Sequence, residues 1–138
     1  MALRDGVSAI YGELTCARIR RHMNGVNLEE KLKLFSEYWS PRIVARYNEN
    51  DVMVVKVKGE FQWHSHPDTD DLFLVLKGTL VIRLRDGEVI LGPGDLYVVP
   101  AGVEHCPVAE EEAHLLLLEL TGTPNTGDRE TAAPKYAI

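Results

Sequence analysis

Short segments in which apolar and polar residues alternate follow one another through the middle of the chain. Val52 to Phe61 is the longest of them, and Lys56 and Lys58 share one of its faces. A period of two indicates strands that turn one face toward a core. Turns rich in Gly, Pro, Asn and Asp separate the segments, which is typical of an all-β sandwich or barrel. The predicted strands cover residues 43–47, 52–61, 72–76, 80–84, 89–91, 96–99, 103–108 and 114–120.

One turn is tight enough to predict its geometry. Asp86-Gly87 stands between Arg85 and Glu88, and an Asp-Gly pair favours the two-residue loop of a β-hairpin. The strands 80–84 and 89–91 are therefore predicted to pair directly. Together the strands define a β domain over residues 40–120.

Helical periodicity precedes the strands, so residues 1–39 are predicted to form a helical extension. A first helix is possible over residues 7–22, with Val7, Ile10, Tyr11 and Leu14 on one side. A second helix begins at Asn27, which forms a capping box with Glu30, and it ends before Pro41. Its apolar positions, which we expect to pack on the outside of the β domain or on a partner subunit, are Leu28, Leu32, Phe35 and Trp39.

Length and composition indicate one domain. The chain has 138 residues, of which 45% are hydrophobic and 26% charged, as in an ordinary globular domain with a single core. Residues 121–138 are rich in Thr, Gly and Pro. We expect them to form a loop or tail that wraps over the β domain or frays.

Charge and hydropathy exclude several classes of function. The formal net charge of −6 disfavours a non-specific nucleic-acid binder, which normally has a basic face. No apolar stretch approaches the ~20 residues of a membrane span, and no signal-peptide pattern opens the chain. We expect a cytoplasmic protein without a nucleic-acid or membrane partner. Cys16 and Cys106 lack the number and the spacing of a disulfide framework, so free thiols are expected.

Three histidines and one carboxylate are the candidate chemistry. His64 and His66 are two residues apart, so in an extended chain they point to the same side; Asp71 and His105 complete the set. Imidazole suits Zn, Fe, Ni and Cu, and a carboxylate also accommodates Mn. The pattern predicts one divalent ion per chain (Fe, Mn, Zn or Ni), held by His64, His66, Asp71 and His105.

The surrounding sequence resembles a known family. Residues 59–78, GEFQWHSHPDTDDLFLVLKG, and residues 94–105, GDLYVVPAGVEH, resemble the two motifs of the cupin superfamily. Asp71 stands where the family usually has Glu, and Ala109 stands where Asn often closes the second motif. The resemblance is to small single-domain cupins, sometimes labelled mannose-6-phosphate-isomerase-like. It implies a jelly-roll β-barrel that binds a metal through the two motifs.

Strand alternation also predicts the lining of a pocket. If the histidines face inward, Gln62 joins them, Phe73 and Val75 share the side of Asp71, and Val103 and Pro107 share the side of His105. Such a pocket is mostly apolar and suits a small organic substrate. No acid–base pair stands out, so the catalytic residues stay open; the candidates are Gln62, Tyr97 and His114, together with Glu104 and Glu119.

Two function classes follow from the resemblance. The first is a small metalloenzyme that acts by Lewis-acid chemistry (isomerase, cyclase or lyase) or by dioxygen chemistry. The alternative is a non-catalytic cupin that binds a small effector or a metal, because a fold alone does not choose a reaction. We also expect a homodimer, since small cupins commonly pair and Phe35, Tyr38 and Trp39 offer large apolar groups.

Overall fold

The computed structural model describes residues 25–138, and eight strands dominate them. One short helix, α1 (Leu28–Leu32), precedes the sheet. The prediction of an all-β fold with a short N-terminal helix is confirmed, whereas the candidate helix over residues 7–22 and Cys16 lie outside the described residues. The strands are β1 (Arg42–Tyr47), β2 (Asn50–Glu60), β3 (Asp71–Lys77), β4 (Leu80–Leu84), β5 (Gly87–Leu91), β6 (Leu96–Val99), β7 (His105–Leu120) and β8 (Tyr136–Ala137).

The 16-residue strand β7 organises the sheet. Its first part pairs with β4, as in Leu84 with His105, and its second part pairs with β3, as in Val75 with Leu115. Strand β2 lies along the other edge of β7 through a register shift near Gly59. The prediction of two strands, 103–108 and 114–120, was wrong. The acidic residues 110–112 are exposed and lie at the register shift, between the two parts of β7 that pair with β2, and the strand continues through them.

The inward positions of these strands form one apolar core. In β3, Asp71, Phe73 and Val75 are buried while the residues between them are half-buried. Fully burying an aliphatic or aromatic side chain contributes about 1.5–3 kcal/mol, so this cluster is the main source of stability. Its members come from six strands and are Met53, Val55, Val57, Phe73, Val75, Leu80, Ile82, Leu91, Val99, Ala109, Ala113, Leu115 and Leu117.

The β4–β5 hairpin differs by one residue from its prediction. Leu84 pairs with Gly87, so the two loop residues are Arg85 and Asp86. Gly87 is not among the described glycines with positive φ. The Asp-Gly pair therefore marks the hairpin correctly but not its loop positions, because Gly87 adopts strand geometry.

Helix α1 is shorter than the spacing of its apolar residues predicted. Asn27 caps it by accepting a hydrogen bond from the Glu30 N–H at 2.9 Å. A helix reaching Trp39 would need the Trp39 N–H to bond the Phe35 carbonyl. Instead the Lys56 ammonium donates to that carbonyl at 2.7 Å, and the Trp39 N–H donates to the Lys56 carbonyl at 2.8 Å. Bonds to the sheet therefore replace the last helical turns.

The aromatic residues that follow α1 are largely covered within the chain. Phe35 is buried against Leu32 and Val54, and the Trp39 ring stacks on Phe61 with centroids 4.8 Å apart. Tyr38 is exposed. These contacts remove most of the apolar surface on which the expectation of a homodimer rested, and the homodimer stays a prediction.

Residues 121–138 return to the sheet. Strand β8 pairs in parallel with β1, with Tyr136 opposite Arg42, and the Ile138 N–H donates to the Ile43 carbonyl at 3.0 Å. The tail thus wraps over the β domain, the first of its two expected arrangements. Within residues 25–138, no helix has the length and apolar character needed to cross a membrane.

Candidate metal centre

The four predicted ligands meet at one end of the core. His64 and His105 form an antiparallel bridge, with N–H to carbonyl bonds of 3.0 and 2.9 Å in the two directions. Asp71 opens β3 and His105 opens β7, so both side chains project inward from strand ends. None of the four residues exceeds 9% exposure, and one ligand atom from each lies within 4.8 Å of the others.

Backbone carbonyls orient two of the imidazole rings. Nδ1 of His64 lies 2.9 Å from the Gln62 carbonyl oxygen, and Nδ1 of His105 lies 2.9 Å from the Val103 carbonyl oxygen. Because a carbonyl oxygen can only accept, each Nδ1 is the donor, and the neutral ring presents Nε2 as a lone pair. Metal-binding histidines are commonly held in this way.

The Asp71 carboxylate lies between His66 and His105. Its Oδ2 lies 3.2 Å from Nε2 of His66 and 3.2 Å from Nε2 of His105. Two ligand atoms about 2.1 Å from one ion are about 3.2 Å apart when they subtend roughly 100° at it. The side chain of Asp71, one methylene shorter than Glu, therefore reaches the cluster.

Unpartnered buried atoms provide a second test of fit to a metal. Within residues 25–138, Nδ1 of His66 and Oδ1 of Asp71 are buried without a hydrogen-bond partner, and Nε2 of His66 has only its ion-pair contact with Oδ2 of Asp71. Leaving such a group unpaired costs about 1–3 kcal/mol. A divalent ion would coordinate the inward atoms, and the mixed imidazole and carboxylate donor set suits a first-row transition ion. The residues present thus fit a metal.

The shifted pKa values in the cluster favour the binding of a cation. Burial lowers the pKa of His64 to about 4, so its ring is neutral at neutral pH. Burial alone would raise the pKa of Asp71, but contacts with His105 and His66 outweigh it and hold the pKa below its usual range. Burial lowers the pKa of His66, but the Asp71 carboxylate reverses the effect and leaves it raised. A metal ion therefore competes with a proton for the His66 ring.

A small cavity of about 40 Å³ adjoins the cluster. Its walls are mostly apolar, as strand alternation predicted, and Phe73 and Pro107 are among them. Gln62 and Val103 are exposed instead, because residues 61–63 and 101–104 lie outside the strands and do not keep the assumed alternation. Val75 lies deeper in the core. The lining residues are Trp39, Pro41, Val55, Val57, Phe61, His64, Asp71, Phe73, Pro107, Leu117, Glu119 and Asn125.

Glu119 is the second carboxylate in this cavity. It is 3% exposed, and its Oε2 accepts a hydrogen bond from Nζ of Lys135 at 3.0 Å. Burial raises the pKa of Glu119, and the Asp71 carboxylate raises it further, to about 7, although Lys135 acts in the opposite direction. The sequence carries a signal for this position: Leu115, Leu117 and Glu119 share the buried face of β7, where a charged residue is unusual.

The other candidate residues lie away from the cavity. His114 contacts Glu112 at 2.9 Å, and Glu104 pairs with Arg85 at 2.6 Å. Tyr97 pairs with Phe73 across β6 and β3 and packs against the core. Gln62 contributes its backbone carbonyl to His64 rather than its side chain. None of these side chains lines the cavity beside the histidines.

Comparison with known proteins agrees with this geometry. A cupin-2 domain protein of Shewanella frigidimarina has a TM-score of 0.68 and 46% identity, over 69% of this chain and 93% of its own. A Neisseria meningitidis protein has a TM-score of 0.65 and 31% identity, over 71% of this chain and 100% of its own. The uncharacterized protein YdbB of Bacillus subtilis is 38% identical over 63 residues, 45% of this chain. That match spans 56% of the length of YdbB.

The family model described as Cupin domain matches residues 51–121. This region is just over half of the chain and contains all four residues of the cluster. The chain therefore belongs to the cupin-2 family of cupin domains.

Proposed function

We propose that this cupin holds one divalent metal ion per chain through His64, His66, Asp71 and His105, and that it acts on a small organic ligand in the adjoining cavity. The observation that carries the proposal is that two buried atoms, Nδ1 of His66 and Oδ1 of Asp71, have no hydrogen-bond partner within residues 25–138. Burying these atoms is unfavourable without a partner, and four convergent donors supply the coordination that an ion needs.

The cavity supports a metalloenzyme of the isomerase, cyclase, lyase or dioxygenase type. A bound ion supplies Lewis-acid polarisation of a carbonyl or enol oxygen, or a binding platform for dioxygen. The chain supplies mostly apolar walls, and the Phe61 ring packs nearly perpendicular to the His64 ring with centroids 5.3 Å apart. Glu119 places a carboxyl group in the same cavity, where it is available to accept or donate a proton.

The size of the cavity supports a second candidate. Its volume of about 40 Å³ holds a few water molecules, since one water needs roughly 10–15 Å³ by this measure. A non-catalytic cupin that stores a metal or binds a very small effector needs no larger space. A catalytic role on a larger substrate requires more space than this cavity offers.

Metal analysis tests the shared part of both candidates. Protein purified without an affinity tag or chelators is expected to contain about one equivalent of Fe, Mn, Zn or Ni per chain. The double variant His64→Ala/His66→Ala is expected to contain none, because two of four ligands are removed. His114→Ala is the matched control and is expected to keep the metal content of the wild type. Unchanged metal in the double variant would overturn the site.

Turnover separates the two candidates. Metal-free protein is loaded in turn with Fe(II), Mn(II), Zn(II) or Ni(II) and incubated with a panel of small carbonyl and phenolic compounds, with oxygen uptake recorded. Product formed by a loaded form and not by the double variant supports the enzyme. Stoichiometric metal binding without product from any of the four loaded forms supports the non-catalytic candidate.

A further inference from the structure

The C-terminal segment, residues 121–138, touches the metal centre at the loop that carries two histidines. Gly127 has φ +76, and a Cβ atom added to it would lie 2.1 Å from the carbonyl oxygen of Ser65. Ser65 is the residue between His64 and His66. The backbone of the segment is therefore packed directly against the backbone that positions two of the four donors.

A buried ion pair joins the segment to the other side of the centre. Nζ of Lys135 donates to Glu119 at 3.0 Å, and both side chains are at most 12% exposed. The same ammonium donates to the carbonyl of Thr123, so it also links the two ends of the segment. The pair lies beside the cluster, since Glu119 and Asp71 line the same cavity.

A side chain of the segment also completes the cavity wall. Asn125 lines the cavity with His64 and Asp71. Its position is set from within the segment, because its Oδ1 accepts the Ala133 N–H at 2.9 Å. The segment thus reaches the site at three points: the histidine loop, the second carboxylate and the cavity wall.

We infer that residues 121–138 are an integral part of the metal centre, and that docking of this segment and binding of the metal are coupled. The inference rests on the proposed function. Gly127 and Lys135 act in it as positioning residues. Because His64 and His66 flank Ser65, a displacement of Ser65 moves both donors, and coordination tolerates deviations of only about 0.2 Å. Coupling is reciprocal, so the metal must in turn stabilise the docked segment.

A glycine outside the segment provides a matched control. Gly94 has φ +87, close to the +76 of Gly127, but a Cβ atom added to it meets no atom of the described residues within 4 Å. Alanine therefore strains the backbone at both positions and pushes on Ser65 only at residue 127. We expect Gly127→Ala to weaken Zn(II) affinity at least tenfold and Gly94→Ala to leave it within twofold, as measured by competition with a fluorescent chelator. Equal affinities in the two variants would overturn the coupling.

Hydrogen exchange of the wild-type protein tests whether the metal stabilises the docked segment. Because it needs no variant, it also tests the coupling if Gly127→Ala fails to fold. The Ile138 N–H donates to the Ile43 carbonyl of β1 and reports directly on docking, whereas the Gly127 and Ala132 N–H groups donate to carbonyls within the segment and report on its order. Strand β5 lies at the opposite end of the sheet from β8, so its amides report global stabilisation. We expect saturating Zn(II) to slow exchange in the segment at least fivefold more than in β5.

The outcomes distinguish this inference from the proposed function. Zn(II) binding with equal slowing in the segment and in β5 would overturn the coupling and leave the metal site intact. Absence of Zn(II) binding by the wild type, with no metal in the purified protein, would overturn both.

Discussion

Strand β7 carries two histidines, and only one of them is arranged as a metal ligand. His105 is 1% exposed, its Nδ1 donates to the Val103 carbonyl, and its Nε2 faces the Asp71 carboxylate. The His114 ring, nine residues further along, contacts the exposed Glu112 side chain at 2.9 Å. A histidine becomes a candidate ligand when one nitrogen is fixed by the protein and the other converges on further donors. Within the part of the chain that the structure describes, no group of three or more metal-binding side chains includes His114.

The charges around the two histidines differ in sign. Asp71 and Glu119 lie at the cavity next to His105, and Lys135 is paired with Glu119. His114 contacts Glu112 and borders a cavity that is lined by one carboxylate and three ammonium groups, those of Glu29, Lys33, Lys56 and Lys77. Carboxylates outnumber ammonium groups only beside His105, so a divalent cation is attracted more strongly there. The electrostatics thus favour a cation at one end of β7 only.

Removing each histidine of β7 in turn is expected to give the largest difference in Zn(II) affinity between the two ends of the strand. We expect His105→Ala to weaken Zn(II) binding about 100-fold or more, because a ligand is lost and Asp71 loses a partner. His114→Ala is expected to leave the affinity within twofold, because its ring contacts an exposed carboxylate. Isothermal titration of both metal-free variants measures the difference. Similar losses in the two variants would mean that burial and converging donors do not identify the ligand.

A glycine near His114 tests whether the two ends of the sheet are independent. Gly78 has φ +82, and an added Cβ would lie 2.9 Å from the Glu112 carbonyl oxygen and 3.0 Å from Cα of Ala113. Gly94 has a similar φ of +87, and a Cβ atom added to it meets no atom of residues 25–138 within 4 Å. Alanine in the left-handed region costs about 1–2 kcal/mol, and the clash at residue 78 adds about 1–3 kcal/mol.

We therefore expect Gly78→Ala to lower the free energy of unfolding by about 3 kcal/mol and Gly94→Ala by about 1 kcal/mol, as measured by urea denaturation. Both variants are expected to keep the Zn(II) affinity of the wild type, because the strain lies at the His114 end. A large loss of affinity in Gly78→Ala would show that strain passes along β7 to His105.

Most of the fold follows from local patterns in the sequence. Strands β4 and β6 begin and end at the predicted residues, because alternation and Gly/Pro turns define them locally. The errors occur where tertiary contacts override local signals. Lys56 binds the Phe35 carbonyl and ends α1 early, and pairing with β2 on both sides of residues 110–112 keeps β7 a single strand across these three glutamates. A local pattern contains no information about either contact.

The candidate site was predictable to a similar extent. The spacing of the motifs identified the four residues that the fold brings together. It did not rank Glu119 above Glu104 or His114, because the ranking depends on which strand face is buried. It also could not assign a role to residues 121–138, whose contacts with Ser65 and Glu119 join residues far apart in the sequence.

Two adjacent carboxylates provide the smallest and sharpest contrast. Oδ2 of Asp71 lies between His66 and His105, whereas Oδ1 of Asp70 accepts the Ala101 N–H at 2.8 Å on the exposed side of the loop. Three histidines alone can hold a zinc-like ion, so we expect Asp71→Ala to weaken Zn(II) binding about tenfold, which is less than the loss expected for His105→Ala. Asp71→Glu is expected to keep Zn(II) binding, since the longer side chain carries the same carboxylate. Asp70→Ala is expected to keep the Zn(II) affinity and to lower the free energy of unfolding by about 1 kcal/mol, because one hydrogen bond is lost. Chelator competition and urea denaturation on all three variants measure these effects. A loss in Asp71→Ala equal to that in His105→Ala would make the carboxylate a full ligand rather than a weaker one that tunes the ion.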